Sequence, residues 1–298
     1  MTSGNQPTSN RKYKDTVFRD LFGSEERKRY ALSLYNALNG TCHDDPDELE
    51  LTTLDDVLYM GLRNDVSLLV GDRLSLWEQQ STRNPNMPLR GLKYFARLYA
   101  SHVEKHHLNE YGTRPISLPA PRFVVFYVGG EDGPATEVLR LSDAYAGKGD
   151  VEVTATVVNV CSAQSVGLLN ACEALAGYVR LVRLVRRNRS RGLPFDEAVD
   201  SAVQQCIDER VLADYLTRRR STVIDMFMDE YDEEKIGALF REDGRREGLK
   251  EGMAKGLAKG RGMALAELVR DGLLGVEDAA ARADVSVAEM RRMASGGE

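Results

Sequence analysis

The stretch "NDVSLLVGDRLSLWEQQST", residues 64–82, decides how the chain folds. Two apolar runs flank Gly71-Asp72, and glycine at the first central position suits a type II′ turn. A two-residue turn there pairs Val70 with Arg73, Leu69 with Leu74, Val66 with Trp77 and Asp65 with Glu78. Side chains alternate along strands, so Asp65, Ser67 and Leu69 share a face with Leu74, Leu76, Glu78 and Gln80. The two carboxylates then become direct neighbours, with Cβ atoms about 5 Å apart. At an effective dielectric of about 20 their repulsion is about 3 kcal/mol. A divalent cation reverses its sign. Two carboxylates with a backbone carbonyl and waters suit Mg²⁺ or Mn²⁺, and the Gln80 amide can orient a bound water. The plain alternative is that Asp65 caps the strand entry while Glu78 sits on a solvated end.

Outward from the hairpin, "NMPLRGLKYFARLYASHVEKHHLNEYG" reads as a helix with Pro88 in its first turn. Leu89, Leu92, Phe95, Ala96 and Tyr99 are its expected apolar face, with Arg90, Lys93, Tyr94 and Arg97 on the other side. "RFVVFYVGG" suits a central strand buried on both faces, and "VEVTATVVNV" alternates as another strand. Upstream, "KDTVFRDLFGSEERKRYALSLYNALNG" reads as two helices broken at Gly23, with Ser24 capping the second and Gly40 ending it. "LELTTLDDVLYMG" is a short strand and an irregular connection. From about Ser165 to Met228 the pattern is helical. Helices alternating with strands predict an α/β domain with a mixed sheet.

The chain has 298 residues, 42% hydrophobic and 29% charged, with formal net charge −6. That balance excludes a wholly basic nucleic-acid binder, so DNA contact must come from local patches. Candidates for phosphate contact are Arg90, Arg97, Ser81 and Thr82, and the cluster around Arg186 and Arg187, which helix C-termini also favour for other reasons. Scattered Cys42, Cys161, Cys172 and Cys206 argue against a zinc ribbon or disulfide framework and for a reducing, cytoplasmic setting. His102 and His106 have a zinc-compatible spacing but lack an evident third ligand. No uncharged apolar run approaches the length of a membrane span. Residues 1–10 read as a polar, disordered tail without a signal-peptide core.

The C-terminal region differs. Gly244, Gly248, Gly252, Gly256 and Gly260 recur every four residues, each costing a helix about 1 kcal/mol relative to alanine. Residues 236–262 therefore read as a charged connecting helix. Alternatively, the glycines form a ridge through which copies of the chain associate. Residues 263–298 have the rhythm of a short helix-turn-helix, which admits a third reading of the chain as a DNA-binding regulator.

"KDTVFRDLF", "YMGLRNDVSLLVGDRLSLWEQQSTRNPNMPLRGLKYF", "PRFVVFYVGG" and "VVNV" together resemble the recombination-promoting nuclease and putative transposase family of the PD-(D/E)xK superfamily. The resemblance covers most of residues 11–235, and the glycine-repeated tail is similar too. It implies a restriction-endonuclease-like mixed sheet flanked by helices, a nuclease-like core over 11–165 and a helical extension over 166–235. It also implies Mg²⁺-dependent hydrolysis of double-stranded DNA in recombination or transposition. Asp65 and Glu78 match the metal-holding acids, Gln80 stands where the superfamily more often has lysine, and Asp15 matches an acid near the site. The family commonly reads Glu-His-Gln where this chain has Gln79 in the middle. The competing expectation is a nuclease fold without catalysis, serving as a DNA-binding or interaction module.

Overall fold

A computed structural model describes residues 16–52 and 65–295. The chain separates into two compact units, Met1–Glu230 and Tyr231–Glu298.

The first unit is α/β. A six-stranded mixed sheet is formed by β1 (Leu49–Leu51), β2 (Val66–Val70), β3 (Arg73–Gln80), β4 (Ala120–Tyr127), β5 (Thr136–Arg140) and β6 (Thr154–Asn159). Their order is β1-β2-β3-β4-β6-β5. β1–β2 and β2–β3 pair antiparallel, β3–β4 and β4–β6 pair parallel, and β5 returns antiparallel along β6.

The hairpin pairs as its turn dictates, from Val70 with Arg73 to Val66 with Trp77. Gly71 has φ 58°, which a side chain would strain and glycine tolerates. The central position of β4 also follows the expectation: Val124, Val125 and Phe126 are fully buried. β5, in contrast, is absent from the sequence reading. Its five residues alternate between exposed and half-buried, so this edge strand carries too little apolar signal to stand out.

The sheet separates two apolar layers. On one face Val66, Leu68, Trp77, Val124 and Phe126 pack with α1 (Val17–Phe22), α2 (Lys28–Asn39), α5 (Glu173–Ser190) and α6 (Phe195–Asp208). On the other, Leu74, Leu76, Phe123 and Val125 pack with α3 (Met87–Lys105). Each fully buried aliphatic or aromatic side chain contributes about 1.5–3 kcal/mol. Short α4 (Val166–Ala171) precedes α5. α7 (Ala213–Arg270), whose dihedrals leave helical values at Arg219, leads out of this unit.

Two local expectations are corrected. Ser24 makes no side-chain cap and precedes a 3₁₀ turn, Glu25–Arg27, with α2 starting at Lys28. Thr16 caps α1 instead, accepting from the Arg19 amide at 3.2 Å. The buried face of α3 is Met87, Pro88, Gly91, Tyr94, Phe95 and Leu98, whereas Leu89 and Ala96 are exposed. Gly91 explains the rotation, since a Cβ there would lie 2.7 Å from Phe123 Cδ1. The helix approaches the sheet along its glycine, and residues flanking that line turn inward.

In the second unit the helix runs through all five period-four glycines. A Cβ on Gly252, Gly256 or Gly260 would meet nothing within 4 Å. α8 (Val276–Ala283) and α9 (Val287–Ala294) are separated by Asp284, in the left-handed region at φ 56°, and by Ser286, whose side chain caps α9. Ala266, Ala279, Ala280 and Met290 form this unit's small core. Among the described residues no helix is long and apolar enough to cross a membrane.

Candidate active site

The C-terminal end of β3 lies where the chain leaves the sheet and, after residues 81–86, enters the first turn of α3. In α/β sheets, such strand ends are where ligands gather. Glu78, third from the end of β3, is only 2% exposed. Regular pairing stops at Val66–Trp77, so Asp65 lies one residue beyond the ladder. It is nevertheless fastened to β3. Its carboxylate Oδ2 accepts from the Gln79 amide at 2.7 Å, and its own amide donates to Glu78 Oε1 at 3.4 Å. The acids are therefore neighbours, as the turn geometry predicts, and each accepts a bond from a backbone amide.

α3 supplies the remaining parts. Arg90 Nη2 donates to Glu78 Oε2 at 2.7 Å and to the Tyr94 hydroxyl at 2.8 Å. The Tyr94 hydroxyl also hydrogen-bonds the Glu78 carboxylate, and Tyr94 is 1% exposed. Arg90 and Tyr94 thus face the sheet, which corrects their assignment to the outer side of the helix; Lys93 does remain exposed. The cause is the close approach of Gly91 to Phe123 of β4, which turns residues 90, 91 and 94 toward the sheet. Sequence reasoning grouped Tyr94 with Arg90 on one side of the helix but missed that it is buried against Glu78. Its signal was the four-residue spacing from Arg90, which puts both side chains on one side of a helix. Gln80 shares the Glu78 face by strand alternation, and its amide nitrogen donates to Met87 Sδ at 2.7 Å.

The electrostatics follow from this crowding. Burial, and then the charge of Asp65, push the Glu78 carboxyl up to about 8, against the opposing pull of Arg90, the Asp65 amide and Tyr94. Burial also raises Asp65, while the Gln79 amide, Arg90 and Arg19 pull it back. Burial and the Glu78 charge push Tyr94 up to about 12. Burial works against the charged form of Arg90, but Glu78 and Tyr94 more than offset it.

The other candidates are dispersed. Ser81 is half-buried and Thr82 exposed in the turn that follows β3. Arg97 lies two turns beyond Arg90 on α3, about 10 Å further along its axis. Arg186 and Arg187 are on α5, across the sheet from α3. Arg187 donates to Gln205 at 2.8 Å, and the neighbouring Arg180 forms a bidentate pair with Glu209. Arg180 and Arg187 thus tie α5 to α6 and its C-terminal cap. Arg219 and Arg220 likewise pair with Asp20 and Asp200. Asp15 lies outside the described residues. The His102 and His106 rings stand 4.3 Å apart, and no group of three or more His, Cys, Asp or Glu side chains arranged for a metal ion occurs among the described residues.

Two carboxylates side by side, both raised by burial and one raised further by the other, are the chemistry of a hard-cation donor set. Asp65 and Glu78 fit a divalent ion in that sense, with Arg90 holding one of the four carboxylate oxygens. Comparison with known proteins finds no matching family model, no matching curated protein and no matching solved structure.

Proposed function

We propose that the chain is a divalent-metal-dependent DNA endonuclease, with a restriction-endonuclease-like core and its reacting centre at the mouth of the β2–β3 hairpin. The observation that carries this reading is the Asp65–Glu78 pair, brought together at the mouth of the β2–β3 hairpin with Arg90 bonded to Glu78. The resemblance of the surrounding sequence to recombination-promoting nucleases supports the choice of DNA as substrate.

Asp65 and Glu78 would hold Mg²⁺ or Mn²⁺. A bound divalent ion there supplies Lewis-acid polarisation of the phosphate and a more acidic water. The chain's own residues do the rest. Gln80 is neutral and cannot contribute the positive charge of a lysine at its position. Arg90 contributes it from α3, where its guanidinium lies against Glu78 and is more than a third exposed. It can donate to a non-bridging phosphate oxygen as charge builds there. Tyr94 fixes the guanidinium and the carboxylate in one arrangement. The Gln80 amide nitrogen is engaged by Met87, which leaves its oxygen as the acceptor that orients the attacking water.

Supercoiled plasmid incubated with Mg²⁺ or Mn²⁺ tests this. The protein is expected to nick it, and D65A and E78A are expected to lower the rate at least a thousandfold with unchanged circular dichroism. Nicking by either variant at the wild-type rate removes the assignment.

A second reading has its own observation. Arg90 gives Glu78 a cation from within the chain, so the pair can persist in a non-catalytic DNA-binding or interaction module. That reading predicts neither metal binding at Asp65 nor nicking.

A further inference from the structure

Another charged cluster lies at the opposite end of β3, on the opposite face of the sheet. Arg73 opens β3, and Arg122 is the third residue of the parallel neighbour β4. Both reach the C-terminal end of α2. Arg73 Nη1 donates to Asn39 Oδ1 at 2.8 Å. Arg122 Nη1 donates to the same oxygen and to the Leu38 carbonyl at 3.1 Å. The Asn39 amide nitrogen is fixed in turn by the Tyr35 carbonyl at 2.8 Å. Burial and then the charge of Arg73 both act against the charged form of Arg122.

Neither arginine has a carboxylate partner among the described residues. The end of α2 offers about half a negative charge, set against two full positive ones. Among the described residues each guanidinium spends only Nη1, which leaves the Nε–Nη2 edge of each uncommitted there. That edge is the fork that grips oxyanions with two parallel hydrogen bonds. A separate observation points to the same place. Ser75 is 1% exposed and its hydroxyl has no hydrogen-bond partner. It lies two residues from Arg73, on the same face of β3, and opposite Arg122 in the β3–β4 register. Buried hydroxyls are nearly always satisfied.

We propose that Arg73, Arg122 and Ser75, with Asn39 holding the two guanidiniums together, bind a phosphate group. A carboxylate has two coplanar oxygens and occupies one fork; a tetrahedral phosphate offers oxygens to both forks and to the hydroxyl. The site is five residues from Glu78 along β3, about 17 Å, so it is distinct from the hairpin mouth and does not depend on the nuclease reading. The phosphate comes either from a nucleic-acid backbone or from a free or terminal phosphate.

Calorimetric titration of the full chain with inorganic phosphate, in EDTA, tests the site. One phosphate per chain is expected, with R73Q weakening it about tenfold, the R73Q/R122Q pair at least a hundredfold, and R73K weakening it through loss of the fork. R73Q leaves the Leu38 cap intact, and its thermal midpoint should match wild type. No phosphate binding by the wild type, or equal binding by the double variant, overturns the proposal. Duplex binding in the same buffer identifies the source. If backbone phosphate is the ligand, the double variant loses duplex affinity and its salt slope falls by about one. If it loses inorganic phosphate but keeps duplex affinity, the ligand is a free or terminal phosphate.

Discussion

At the C-terminal end of β3 two carboxylates, Asp65 and Glu78, stand beside one guanidinium, Arg90, which bonds Glu78 directly. At its N-terminal end two guanidiniums, Arg73 and Arg122, share one neutral amide, Asn39. The imbalances are opposite in sign, and they also differ in solvent access. Glu78 is enclosed, so its charge is costly unless a proton, Arg90 or a cation meets it. Arg73 is exposed, so water screens it at little cost. Stability should therefore respond strongly to changes at the first end and weakly at the second.

The largest expected effect is at Arg90. Above about pH 8, where the Glu78 carboxyl is charged, R90A leaves it buried without its ion pair and should cost about 2 kcal/mol in urea unfolding. R73A should change stability by no more than about 0.5 kcal/mol. On the nuclease reading R90A also lowers plasmid nicking about a hundredfold, with R90K recovering part of it. Equal unfolding midpoints for R90A and R73A break the contrast.

The pH dependence comes next. Glu78 titrates near 8 in the folded chain and at about 4.5 when unfolded. Between those values the folded state holds a proton that the unfolded state has lost, so stability falls as pH rises through this window. Asp65 is raised too and acts in the same direction. In EDTA the urea midpoint should decline from about pH 5 to about pH 8, less steeply in E78Q than in wild type. R73Q should leave the slope unchanged.

A smaller effect probes the packing that delivers Arg90. G91A places a Cβ 2.7 Å from Phe123 Cδ1. Overpacking costs about 1–3 kcal/mol, and alanine returns up to about 1 kcal/mol of helix propensity. A net loss of about 1 kcal/mol is expected, with nicking reduced more than stability because Arg90 shifts with the helix. A similar loss, about 1 kcal/mol, is expected of Y94F, which removes one hydroxyl from Arg90 and Glu78.

The sequence made the hairpin legible because its register hangs on two residues, Gly71 and Asp72, and a one-residue slip would turn every side chain to the wrong face. That register brought Asp65 to Glu78. The placement of α3 was hidden for a different reason. Leu89 and Ala96 are apolar yet exposed, while Gly91 and Arg90 face the sheet. Hydrophobic periodicity points to the stripe that could be buried, whereas backbone approach at a glycine selects the stripe that is. Reading Arg90 and Tyr94 as an outer surface followed from that error, and the network on Glu78 went unseen with it. β5 was missed because an edge strand with solvent on alternate residues has little apolar content. The Arg73–Arg122 cluster depends on which strands lie parallel in the sheet, which spacing along one chain does not encode.

The most direct test of the central claim is anomalous scattering from a crystal of the full chain soaked in Mn²⁺. An ion within about 2.2 Å of carboxylate oxygens from both Asp65 and Glu78 is the predicted result. A soaked crystal with no peak between these two side chains, from protein that nicks plasmid in the same Mn²⁺ buffer, would contradict it.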